Sequence, residues 1–163
     1  MLTHHRKPVC LSLLSTDLPL WSVIETAATV YQKDQDRFHI LLTEPAIYDI
    51  ATPTGIPEVA TLPAGKTSRL LWLEISPQRA IMTMQGNGQF SYRHLWEQGM
   101  YGISRFWLQG ESLGANSQIR LRNYTRSLTL TGKPLPEHLR LEYDLWSDKV
   151  QLGRYILNLE IHQ

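Results

Sequence analysis

From Ser68 to the end of the chain, apolar residues recur at every second position. A strand with one face in a core shows this period; a helix does not. Leu71, Leu73 and Ile75 alternate with Leu70, Trp72 and Glu74 until Pro77 ends the run. Ile81 to Gln85 and Gln89 to Arg93 flank Gly86, Asn87 and Gly88. Asn87-Gly88 is the dipeptide favoured in a tight hairpin turn, because both residues tolerate positive φ. Met100 to Gln109 and Ile119 to Thr131 read as further strands, separated by the turn-rich stretch 110–117. Near the C-terminus Leu139, Leu141, Tyr143 and Leu145 share one face, and Ser147 to Lys149 supply a turn. In the return strand Val150 and Leu152 have one parity and Tyr155, Leu157, Leu159 and Ile161 the other. A β-bulge at Gly153 or Arg154 is expected to keep both sets on the core side.

The first part of the chain reads differently. Over residues 18–32, Thr16 or Asp17 can cap a helix and Pro19 suits its first turn. Leu20, Ile24, Ala27, Ala28 and Tyr31 would then fall on one helical face. Val23, Ile24, Thr26, Thr29 and Val30 are β-branched and suit a strand as well. Phe38 to Thr43 reads as a strand. In residues 44–67, Pro45, Pro53, Pro57 and Pro63 remove backbone donors, which predicts a long ordered loop or an edge segment rather than a helix. The expected fold is therefore α+β and mainly β. An antiparallel sheet, sandwich or small barrel, built from residues 68–163, carries one N-terminal helix packed on it. One domain is expected over 1–163, with portions 1–43, 44–67 and 68–163.

The run from Leu139 to Gln163, LRLEYDLWSDKVQLGRYILNLEIHQ, resembles small proteins of unknown function from photosynthetic bacteria. The resemblance implies no site.

The chain's 163 residues, 42% hydrophobic and 19% charged, can sustain a globular core without staples. A single cysteine, Cys10, excludes an internal disulfide and a cysteine-based zinc site, and its apolar neighbours suit packing. The apolar stretch from Val9 to Leu14 is too short for a signal peptide, and no run spans a bilayer, so a cytoplasmic protein is expected.

Catalytic patterns are weak. Ala60 to Thr67, ending in Gly65, Lys66 and Thr67, satisfies a relaxed phosphate-loop pattern. Such a loop works between a strand and a helix, whereas here prolines precede it and a strand follows. The six histidines lack metal-ligand spacing, and no Gly-x-Ser-x-Gly elbow exists. No cofactor or metal site is expected, and the chain leans toward a non-catalytic role, although absence of a motif is not absence of an enzyme.

Charge is the positive signal. Residues 93–140 hold seven Lys and Arg against three Glu, a local 7 − 3 = +4, while the whole chain is only +1. Arg120, Arg122, Tyr124 and Arg126 occupy alternate positions, so a regular strand would present them on one face. Such a stripe can bind carboxylates in bidentate fashion, hold the backbone of a single nucleic-acid strand, or simply form a solvated face paired with Glu142 and Asp144. Trp96, Tyr101, Arg105 and Trp107 fall in the same region, as core or as an interface rim. The favoured reading is an accessory or adaptor module that binds another macromolecule, most readily a protein, through this arginine and aromatic face. A ligand-binding or catalytic barrel with an aromatic-lined pocket and a single-stranded nucleic-acid binder stand as alternatives.

Overall fold

The computed structural model describes residues 3–44, 69–86, 90–108 and 117–162. The Asn87-Gly88 turn, the phosphate-loop pattern at 60–67 and the proline-rich segment beyond Glu44 lie outside the described residues.

Among the described residues ten strands follow in chain order: β1 (Thr3–Ser15), β2 (Trp21–Gln32), β3 (Phe38–Glu44), β4 (Arg69–Ile75) and β5 (Arg79–Gln85), then β6 (Phe90–Glu97), β7 (Tyr101–Leu108), β8 (Ser117–Thr131), β9 (His138–Ser147) and β10 (Val150–Ile161). Each pairs antiparallel with its chain neighbours. β1 also pairs with β10, from Val9 opposite Ile161 to Ser15 opposite Tyr155, which closes the sheet into a barrel. Closure removes both sheet edges, where unpaired backbone groups would otherwise remain.

The expected α+β fold is thereby corrected to an all-β barrel. Among the described residues there is no helix, and 21–32 is strand β2. The β-branched residues decide this locally, while Ile24, Ala28 and Val30 turn inward. Globally, β2 pairs along nearly its whole length with β1 and continues into β3, so the barrel needs these residues extended. Pro19 sits in the turn before the strand, where Ser15 N–H donates to Leu20 C=O at 2.9 Å and Leu18 N–H donates to Ser15 Oγ at 3.1 Å. The sheet also begins at Thr3 rather than at residue 68.

The interior is filled by alternate residues of every strand. Val30, Ile40, Leu73, Met84, Trp96, Leu141 and Leu159 are fully buried. His94 stacks on Trp96 at 4.8 Å with planes 6° apart, and Tyr143 lies 5.0 Å from Trp96 and 5.5 Å from Tyr155. Among the described residues two bulges reset the phase. In β10 the register shifts between Gln151 and Gly153, after which Tyr155, Leu157, Leu159 and Ile161 face the core side. Val150 and Leu152 nevertheless stay exposed, contrary to expectation: Leu152 is the extra residue of the bulge, and Val150 adjoins the β9–β10 turn. In β8 the shift lies between Thr125 and Ser127, so Arg126 is the extra residue.

Candidate functional site

β7 lies between β6 and β8, and the register places three arginines side by side. Arg93 is opposite Arg105, and Arg105 is opposite Arg120. Directly paired residues of neighbouring strands have Cα atoms about 5 Å apart, so the row spans about 10 Å. All three point outward, since the alternating residues His94, Ser104 and Asn123 point into the barrel. Among the described residues none of the three has a carboxylate within ion-pairing distance. Arg105 Nε is buried with no hydrogen-bond partner. Like charges directly opposite on a sheet repel, and nothing in the row relieves them.

Beside the row, Arg122 lies over the Tyr101 ring with its guanidinium carbon 4.9 Å from the centroid. The Tyr101 and Tyr124 rings are also 4.9 Å apart, and Tyr101 remains 60% exposed. Trp107 shares the outward parity of Arg105. The arginine and aromatic face thus joins Arg105, Arg120, Arg122, Tyr101, Tyr124 and Trp107.

Two expected residues leave the site. Trp96 is 0% exposed and stacks inside the barrel, because its parity on β6 is that of His94. Arg126 is outward but occupied: its Nε donates to Asp144 Oδ2 at 2.8 Å, while Arg154 Nε donates to Asp144 Oδ1 at 2.8 Å. Asp144 itself is only 3% exposed, covered by the two guanidiniums on the barrel's outer side. Arg93 lies outside the alternating stripe of β8 and joins it only through the registers. Its outward parity is readable from the buried His94, but its pairing with Arg105 is set only by the β6–β7 register.

The interior holds a second polar group. His94 Nδ1 lies 2.7 Å from Ser104 Oγ, and Asn123 Nδ2 donates to Ser104 Oγ at 2.9 Å and to Leu95 C=O at 3.2 Å. A serine beside a histidine has the geometry of a nucleophile and its base. Here Ser104 is 0% exposed, and burial lowers the His94 pKa to about 4, leaving a neutral imidazole. The cluster also links β6, β7 and β8. Pairing of β6 with β7 stops after His94 and Ser104, and Asn123 reaches across to the carbonyl of Leu95 just beyond that point.

No family model matches this chain, and no curated protein matches it either. Among solved structures it is similar to the ywiB protein from Bacillus subtilis. The two share 13% sequence identity with a TM-score of 0.59, over 97% of this chain and 94% of that one. At this identity the likeness extends to the barrel fold alone.

Proposed function

We propose that the barrel is a non-catalytic docking module that holds a carboxylate-rich patch of another protein against the outer face of β6, β7 and β8. One observation carries the reading: Arg93, Arg105 and Arg120 stand in a directly opposed row with no carboxylate beside them among the described residues. Such a row costs stability in the free protein and gains it when an anionic surface arrives. Guanidinium forks match carboxylates in bidentate geometry, and the exposed Tyr101 and the neighbouring Trp107 supply the aromatic contact that interfaces favour. A protein is preferred over nucleic acid because the cations are few and in a short row.

The test is fluorescence anisotropy with a labelled glutamate-rich peptide and a labelled oligothymidylate, at several salt concentrations. The peptide is expected to bind the wild type with affinity falling as salt rises. Changing Arg93, Arg105 and Arg120 together to Gln is expected to weaken it at least about tenfold. Equal binding by that variant, with its fold intact by circular dichroism, removes the arginine row from the reading. Tighter binding of the oligonucleotide than of the peptide replaces the protein partner by a nucleic acid.

A further inference from the structure

A different sector of the barrel, formed by β2 to β5, carries two adjoining concavities on its outer surface. The larger, about 250 Å³, is lined by Tyr31, Lys33, His39, Leu41 and Trp72. The smaller, about 130 Å³, shares Lys33 and His39 with it and adds Arg37, Glu74 and Arg79 among its walls. The register explains the arrangement. Tyr31, His39 and Glu74 form one outward row across three strands, and Leu41 and Trp72 form the next row along. The His39 and Trp72 rings are 5.6 Å apart and inclined at 59°, so they form a bent aromatic wall rather than a closed stack.

The two concavities differ in chemistry. The larger is faced by aromatic and aliphatic side chains. The smaller gathers Lys33, Arg37 and Arg79 against Glu74, an excess of positive charge. Arg37 is held by Asp34, and Arg79 lies 3.6 Å from Glu97. Glu74 lies 3.4 Å from His39 Nε2. Lys33, which borders both concavities, has no ion-pair partner among the described residues. Its backbone is fixed, because Lys33 N–H donates to Arg37 C=O at 2.9 Å across the β2–β3 turn.

We propose that this groove binds a small molecule made of a planar ring and an anionic group. The ring lies against Trp72, Tyr31 and His39, and the anion meets Lys33 at the junction with the smaller concavity. The sizes agree, since an apolar cavity of about 150 Å³ takes benzene. The larger concavity therefore accommodates a fused two-ring system, and the smaller one a carboxylate or phosphate. An aromatic acid and a nucleoside monophosphate share this chemistry. Binding is reversible and involves no covalent step.

Isothermal titration with 2-naphthoate and with adenosine monophosphate tests the proposal, beside 2-naphthol, adenosine and inorganic phosphate as the separated halves. A joined ring and anion is expected to bind at least about tenfold tighter than either of its halves. Lys33→Gln is expected to erase that advantage, and Trp72→Leu to weaken every ring-bearing probe. Preference for the monophosphate assigns a phosphate ligand, and preference for the naphthoate a carboxylate. Repeating the titration in the variant with Arg93, Arg105 and Arg120 changed to Gln separates this site from the docking face, and undiminished binding there is expected. Binding unaltered by Lys33→Gln and Trp72→Leu, or failure of both joined probes to exceed their halves, overturns the proposal.

Discussion

Arg105 stands directly opposite Arg120 across the β7–β8 pair, and among the described residues no carboxylate lies within ion-pairing distance of either. The contrast with Arg126 is instructive. That residue lies on the same outer surface, yet it is bound at 2.8 Å by Asp144, which Arg154 grips from the other side. One stretch of strand thus carries both satisfied and unsatisfied guanidiniums.

Relieving the unsatisfied pair is expected to stabilise the protein. Arg105→Gln should raise stability by about 0.2–1 kcal/mol, the scale of a cross-strand pair, while weakening binding of the glutamate-rich peptide. Urea midpoints and anisotropy on the same sample check both halves. A lower midpoint would mean that Arg105 is held by contacts that compensate the repulsion.

Removing the satisfied acid should do the opposite. Asp144→Asn keeps the shape but takes the charge from two hydrogen bonds at a site 3% exposed, which is expected to cost about 2 kcal/mol. Thermal unfolding at low and moderate salt checks it. A change below measurement error would show the ion pairs to be solvated rather than structural.

His94 makes the fold sensitive to acid. Burial lowers its pKa to about 4 in the folded state, against about 6.5 when unfolded. Between these values the unfolded chain binds the proton and the folded one does not, so stability falls as pH drops through this window. The expected loss from His94 is about 3 kcal/mol between pH 7 and pH 4, following the rule of about 1.4 kcal/mol per unit. His94→Gln should flatten that part of the profile in chemical denaturation. An unchanged slope would place the acid sensitivity elsewhere.

Gly102 is a close-approach position. A Cβ there would stand 2.1 Å from Leu95 O and 2.9 Å from Asn123 Oδ1, and the first of these is backbone. Gly102→Ala is expected to cost about 1–3 kcal/mol by forcing β7 away from β6, and to broaden the amide signals of Leu95 and Asn123 in NMR spectra. Retention of wild-type stability would show that the gap between these strands can widen freely.

The period of two in residues 69–161 sufficed to read most of the later strands, because alternation is a local signature written into each run. It also placed Arg120, Arg122 and Tyr124 on one outward face, as strand β8 presents them. Over 21–32 the same logic failed for a definable reason. Ile24 and Ala28 are four apart, a spacing shared by one helical turn and by two steps of a strand, so both periods fit. What resolved the ambiguity was pairing with β1 and β3.

Closure, the arginine row and the groove at Lys33 belong to tertiary structure alone. Val9 meets Ile161 across nearly the whole length of the chain, and no local pattern encodes which strand edge finds which. Arg93, Arg105 and Arg120 become neighbours only once two registers are set, since a slip of one residue would send each side chain to the other face. Trp96 was turned inward by the same parity. Over residues 69–161 the residues themselves determined strands with one oily side and one polar side; the joining of first strand to last decided that the oily sides fill a barrel and that the charges meet outside it.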